Sequence, residues 1–347
     1  MALAGVGKSE GMTTRTGAGQ TPGQTPGGEE MPSWVEPQLA TLTRERFSDP
    51  KWIFERKLDG ERCLAFAGQD GDGVRLLSRS RHEITTTFPE IARAIAEQRH
   101  GELVVDGELV AFEGEQTRFG RLQQRLGVAR PSSKLLADYP VYYYLFDVLY
   151  ADGRDTRQLP LLERKKLLAG ALTFRDPLRF TEHRERDGEA LSAQACRDGW
   201  EGLIAKRADA PYQSGRTRNW LKFKCENAQE FVIGGFTDPQ RSRVGLGALL
   251  LGYYDGGELV YAGKVGTGFD NATLLRLHDR LARLERDDPP FTGGRLPPRR
   301  GVHWVEPRLV GEVGFSEWTS DGELRHPRFQ GLRDDKEPRD VVRELPS

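Results

Sequence analysis

Along this 347-residue chain, six short clusters place reactive side chains where strand periodicity would turn them to one face. The first is Glu55-Arg56-Lys57-Leu58-Asp59-Gly60-Glu61-Arg62, which follows the apolar run Trp52-Ile53-Phe54. In a strand over residues 53–59, Glu55, Lys57 and Asp59 point the same way, because side chains alternate with period two. Taken alone, such alternating charge describes a solvated strand edge. The chemical reading is a lysine nucleophile beside a glycine turn that lets a ligand approach the backbone.

The other five clusters decide between these readings. Ser78-Arg79-Ser80-Arg81 is a basic turn after a strand, and Val104-Val105-Asp106-Gly107-Glu108-Leu109-Val110 is an apolar strand interrupted by two acids. Carboxylates among valines need a cation, a metal or a hydroxyl, unless the strand is a solvated edge. Tyr142 to Tyr150 is an aromatic strand whose rings mostly read as core. One of them could serve as a base platform, where stacking contributes roughly 1–3 kcal/mol. Glu201, at the mouth of the apolar strand in Glu201-Gly202-Leu203-Ile204-Ala205-Lys206-Arg207, suits a magnesium ion. Lys222 and Lys224 share one face of their strand and repel each other unless an anion sits between them. Together these groups supply what nucleotidyl transfer needs. A neutral amine attacks an α-phosphorus, pyrophosphate leaves, and cations hold the charge that develops. Lys222 and Lys224 are expected to depress the pKa of Lys57, since like charges disfavour its protonated form.

The length of the chain suggests two domains. The balance of 51 basic and 52 acidic residues gives no global nucleic-acid signal, so a DNA site must be a local basic surface. Three cysteines (Cys63, Cys196, Cys225), far apart and without CxxC spacing, argue for a reducing compartment and against a disulfide framework or structural zinc. No HxxxH spacing or membrane-length apolar run is present. Residues 1–32, rich in Gly, Thr, Gln and Pro, read as a disordered tail. Gly7-Lys8-Ser9 within it ends a phosphate-loop pattern by chance, because the loop's first glycine would fall on Ala2. From 33 to 228, strands near 52–57, 62–67, 74–78, 103–112, 141–148, 201–206 and 219–224 accompany helices near 88–99, 161–172 and 188–198. That pattern predicts an α+β domain with antiparallel sheets. From 229 to 347, strands near 231–236, 248–254, 259–265 and 309–319 with one helix over 272–285 suggest an OB-fold β-barrel.

Lys57-Leu58-Asp59-Gly60-Glu61-Arg62 matches the KxDGxR motif of the covalent nucleotidyltransferases, and the later clusters resemble that family's remaining motifs in order. Arg325 to Lys336 resembles the final ligase motif, which ends in RxDK. Over about residues 33–345 the chain is most similar to the ligase module of bacterial ATP-dependent DNA ligases used in double-strand-break end joining. Val265-Gly266-Thr267-Gly268-Phe269 and Glu317 to Pro327 carry the closest likeness. This implies an adenylation domain hinged near Cys225–Gln229 to the OB domain, with ATP and Mg2+ (or Mn2+) as cofactors. It also implies a lysyl-AMP intermediate on Lys57. Glu55 would read the adenine amino group and Phe146 would stack on its ring. Arg62 and Glu108 would contact the ribose, with Arg62 also near the nick, and Arg79 would bind the nick 5′-phosphate. Glu201 would hold the metal, Lys222 and Lys224 the α-phosphate, and Arg216 would support the phosphates. Arg333 and Lys336 would orient pyrophosphate, and Asp59 would serve metal or DNA in later steps. The implied partners are nicked or broken duplex DNA and a Ku-like end-binding protein. The implied setting is a monomer in the bacterial cytoplasm, at the nucleoid and off the membrane. The chain lacks room for the polymerase and phosphoesterase domains often fused to this module. It also lacks the N-terminal helical DNA-binding domain of large replicative ligases. The alternatives are an RNA ligase or capping-type guanylyltransferase, and a non-catalytic nucleic-acid-binding relative. The last conflicts with the presence of nucleophile, metal acid and phosphate lysines.

Overall fold

The computed structural model describes residues 29–69, 73–98, 100–225, 227–239 and 243–344. The expectations for residues 1–28, including Gly7-Lys8-Ser9, lie outside the described residues. Strands β1 (Gln38–Leu42), β2 (Trp52–Arg56), β3 (Glu61–Ala67) and β4 (Arg75–Ser78) come first, followed by helix α1 (Pro89–Ala96). Proline in the first turn of α1 lacks only an N–H that would be unpaired anyway, and Ile91 and Ile95, one turn apart, are buried. Next are β5 (Leu103–Val110), β6 (Tyr142–Ala151), α2 (Leu161–Ala171), β7 (Leu178–Phe180) and β8 (His183–Glu185). Helix α3 (Gly188–Arg197), β9 (Gly202–Arg207) and β10 (Gly215–Lys224) complete this part.

These strands form two sheets. One runs β1–β10–β9–β2–β8, the other β7–β6–β5–β3–β4. Most pairs are antiparallel, as expected, but β1 with β10 and β7 with β6 are parallel. β1, β7 and β8 escaped the sequence reading because each is short and has no clean alternation. In the first sheet the even positions of β2 and the odd positions of β9 and β10 (Phe54, Leu203, Ala205, Phe223) pack against Ala195 of α3. The opposite face is left for chemistry. β5 is central in the second sheet, so Asp106 is not on a solvated edge. It is fully buried, and Arg62 (2.5 and 2.6 Å) and the Tyr212 hydroxyl (2.6 Å) donate to it.

The remaining strands are β11 (Asn227–Thr237), β12 (Leu249–Asp255), β13 (Glu258–Val265), β14 (Val302–Phe315) and β15 (Arg328–Leu332), with helix α4 (Asn271–Ala282) before β14. Asp270 caps α4 by accepting from the Thr273 N–H (2.7 Å), and Leu274, Leu277 and Leu281 enter one core with the sheet. The hydrogen-bonded order is β13–β12–β11–β14, with β15 also on β14. Among the described residues this path does not return on itself, so the barrel expected from sequence is not closed.

The cysteine expectation is overturned. Cys196, at the end of α3, and Cys225, just after β10, are joined in a disulfide with Cα atoms 5.2 Å apart. Spacing could not reveal this, because β9 carries the chain from α3 back beside the end of β10. No described helix is long and apolar enough to cross a membrane.

Candidate active site

Register across the first sheet builds the site in rows. Glu55 on β2 lies opposite Ile204 on β9, which lies opposite Lys222 on β10. One step along, Gly202 faces Lys224, and the Lys57 N–H donates to the Gly202 carbonyl (2.9 Å). Gly202 has φ of +145°, and a Cβ there would sit 1.9 Å from the Phe223 carbonyl, so the row needs glycine. Period two keeps Glu55 with Lys57 and Lys222 with Lys224 on this face, as alternation predicted. Gly60 has a different role from the one expected. A Cβ there would meet the Leu109 carbonyl at 2.1 Å, so the glycine admits β5 rather than a ligand.

The residues assigned above to nucleotide, metal and DNA line one cavity of about 210 Å3. Lys57, Asp59, Arg62, Glu108 and Glu201 line it together with Glu55, Phe146, Arg79 and Arg216. Arg216 is exposed and donates to the Ala40 carbonyl (2.6 Å). The two candidate arginines at 79 and 81 separate here. Arg79 lines the cavity, whereas Arg81 lies over the Trp34 ring at 5.1 Å.

The electrostatics reverse one expectation. Burial works against the Lys57 ammonium, yet Glu201, Glu312 and Asp59 outweigh it and hold the amine above the usual lysine range. The Lys57 amine is in direct contact with Glu201. The two phosphate lysines were expected to win, but the acids, led by Glu201 in direct contact, dominate. Burial, aided by Glu312 and Glu201, pushes Asp59 up to about 7, and burial pushes Glu108 to about 7 as well. Asp59 also accepts from the Phe119 N–H (2.9 Å).

The residues around Glu201 fit a hard divalent cation. Beyond Lys57, neither buried Glu201 carboxylate oxygen has a hydrogen-bond donor. No preassembled group of three or more metal-binding side chains is found among the described residues. The Glu201 carboxylate, with no donor beyond Lys57, suits Mg2+, which is held by one or two carboxylates and completed by water and phosphate.

The second part of the chain closes over this cavity. Arg333 donates to Asp335 (2.8 and 2.9 Å), Glu312 (2.8 Å) and the Gly60 carbonyl (3.3 Å). Lys336 pairs with Glu230 at 3.2 Å. Glu230 and Glu312 lie directly opposite each other on β11 and β14, a repulsive pair that these two cations relieve. Asp335 is the acid of the RxDK motif, but Glu230 and Glu312 carried no signal in sequence, nor did Glu344. Glu344 contacts Lys222 directly and lies 3.6 Å from Lys224. Burial opposes its charge, but Lys224 and Lys222 hold its carboxyl down at about 2. The anion required between the paired lysines is therefore a carboxylate of the chain itself. It is held in place by Gln229, which accepts from the Glu344 N–H (2.9 Å). Glu344→Gln is expected to lower the ATP concentration for half-maximal self-labelling several-fold, because an incoming triphosphate no longer displaces a carboxylate. An unchanged or raised half-maximal concentration in a titration with labelled ATP would contradict this.

Family models agree with the geometry. One described as ATP dependent DNA ligase domain matches residues 37–224, and one described as ATP dependent DNA ligase C terminal region matches residues 242–336. The multifunctional non-homologous end joining protein LigD of Pseudomonas aeruginosa is 39% identical over 338 residues, covering 95% of this chain and 38% of that protein. The multifunctional non-homologous end joining DNA repair protein LigD of Mycobacterium tuberculosis is 40% identical over 319 residues, covering 89% of this chain and 40% of that protein. The chain thus spans about two fifths of the length of these relatives. A solved structure described as mycobacterial DNA ligase D complexed with ATP and MES matches with a TM-score of 0.63 at 38% identity. It covers 89% of this chain and 98% of that one. With a cavity-lining lysine inside a KxDGxR motif, and with both family models placed in order, this chain belongs to the ATP-dependent DNA ligases.

Proposed function

We propose that this chain seals nicked or broken duplex DNA in bacterial end joining, through AMP carried on Lys57. The supporting observation is that Lys57, the acid Glu201 and the paired Lys222 and Lys224 line one cavity, with Glu55 and Ile204 in the same row of the sheet as Lys222. The base would lie at the Glu55 and Phe146 end, over the apolar surface of Ile204, with the ribose near Arg62 and Glu108. The α-phosphate would take the place of Glu344 on Lys222 and Lys224, with Arg216 supporting the phosphates. Lys57 Nζ then forms a bond to the α-phosphorus as the bond to pyrophosphate breaks. Its ammonium must first lose a proton to solvent, since Glu201, the acid in contact with it, is held below the usual glutamate range and is a poor base. Arg333 and Lys336 orient the departing pyrophosphate. A divalent ion, Mg2+ or Mn2+, held by Glu201 with Asp59, supplies neutralisation of phosphate charge.

In the later steps AMP passes to a 5′-phosphate held by Arg79, and a 3′-hydroxyl attack releases it. For DNA to reach the cavity, the domain at 229–347 must swing away from that at 33–228 about a hinge at 225–229. The end-joining names of the relatives favour broken ends as substrate and a Ku-like protein as recruiting partner. A guanylyltransferase or RNA ligase would need different labelling. The test is incubation with labelled ATP or GTP, followed by nicked DNA or nicked RNA. Label from ATP that moves to nicked DNA is the expected result. Label taken only from GTP, or passed only to RNA, would overturn the proposal.

A further inference from the structure

We propose that Lys165 and Lys206 are positioning residues for base selection, which hold the Glu55 carboxylate charged and in one orientation so that it accepts from the 6-amino group of adenine. The inference rests on the reading of Glu55 as the group facing the base. It adds Lys165, which lies outside every cluster, and Lys206, which lies in the strand that follows Glu201 and had no role assigned.

The geometry is specific. Lys165, from α2, donates to one Glu55 oxygen at 2.6 Å and to the Thr181 carbonyl at 3.0 Å. Lys206 Nζ lies 2.6 Å from the other Glu55 oxygen. Lys206 is diagonal to Glu55 across β2 and β9, since Ile204 is its direct opposite. Both amines are fixed from behind by aromatic rings. Lys206 lies 4.0 Å from the Phe146 centroid and 4.1 Å from that of Trp220, and Lys165 lies 4.7 Å from Phe180. Glu55 itself is 3% exposed and lines the cavity.

Two arguments separate this arrangement from an ordinary buried ion pair. Neutrality at Glu55 needs one cation, and the second, Lys206, is pushed down to about 8 by burial, against the pull of Glu55 and with Lys165 adding to the fall. An anionic nucleotide entering the same cavity favours its charged form, whereas packing alone gives no reason for a second buried amine. The second argument concerns protonation. Burial alone would drive the Glu55 carboxyl toward its neutral form. Lys165 and Lys206 outweigh burial and hold it below the usual glutamate range. A charged carboxylate only accepts, and each of its oxygens retains a lone pair after binding one lysine. Such a group favours a donor on the base and repels a 6-oxo group. A neutral carboxyl, free to donate, would not discriminate.

The test compares self-labelling of Lys57 by ATP and by purine riboside 5′-triphosphate, which lacks the 6-amino group. The full chain should prefer ATP by about ten- to a hundredfold in kcat/KM, the range for one hydrogen bond to a charged group. In Lys165→Met and in Lys206→Met this preference should fall to about threefold or less. The fall should appear as a raised KM for ATP, with the analogue and the saturated rate little changed. Lys165→Arg and Lys206→Arg keep the charge and should restore most of the preference. A purely structural role would slow both nucleotides alike and leave the preference intact, which would overturn the proposal. If a methionine variant fails to fold, Lys165→Gln and Lys206→Gln remove the charge while keeping a polar side chain. The same loss of preference is expected from them, and an intact preference overturns the proposal equally. Glu55→Gln distinguishes the two levels of failure. If it leaves the ATP preference unchanged, the reading of Glu55 fails. If it abolishes the preference while the lysine variants retain it, the positioning role alone fails.

Discussion

Replacing Lys57 with arginine is expected to abolish transfer of AMP from ATP to the protein, by on the order of 10⁴-fold or more. Arginine keeps the positive charge beside Glu201, so the fold and the ion pair are disturbed little. It cannot be deprotonated in a protein, and therefore offers no lone pair to phosphorus. Incubation with α-labelled ATP and Mg2+ should leave the variant unlabelled. The same variant should still seal a nick supplied with AMP already on its 5′-phosphate, because that step needs no lysine nucleophile. A labelled, acid-labile adduct surviving in Lys57→Arg would show that another residue carries the nucleotide. The raised basicity of Lys57, to which Glu201, Glu312 and Asp59 contribute, keeps the charge that arginine would preserve.

The second large effect concerns the two cations contributed from the far side of the cavity. Arg333→Ala combined with Lys336→Ala is expected to slow self-adenylylation by about 10²–10³-fold, the range seen when a charge-stabilising donor is removed. Sealing of pre-adenylylated nicks should be affected far less, since pyrophosphate has already departed. Arg333 is buried among Asp335, Glu312 and the Gly60 carbonyl, so its removal also leaves two carboxylates facing each other unpaired. Lys336→Ala alone, which releases Glu230 and a 4.0 Å contact with Asp335 but leaves Arg333 in place, separates the catalytic effect from that loss of stability. Equal losses in adenylylation and in sealing of pre-adenylylated nicks would remove the role given to both residues in the first step.

Much of the candidate site was legible in the chain because strand periodicity is local. Glu55 with Lys57, and Lys222 with Lys224, share a face by a rule that needs no knowledge of the rest of the molecule. The apolar stripe of α4 and the apolar face toward α3 follow in the same way. The reading failed where a short segment is specified by its partner. β1, β7 and β8 exist because longer strands offer them hydrogen bonds, and no pattern within three to five residues announces that.

What only tertiary structure decided is charge balance. Sequence placed two lysines near Lys57 and implied a depressed basicity. Folding brought Glu201 into contact with Lys57 and Glu312 within Coulombic reach, and Coulomb energy follows distance rather than order along the chain. The same reason hid Glu344, which meets Lys222 across 122 positions, and Lys165, which meets Glu55 across 110. It also hid the disulfide between Cys196 and Cys225, two residues that read as unrelated thiols. The sequence by itself determined which chemical groups are present and which face of a strand each one takes. The tertiary structure decided their counter-ions and hence their protonation states, because these depend on distances that only the packed sheets set.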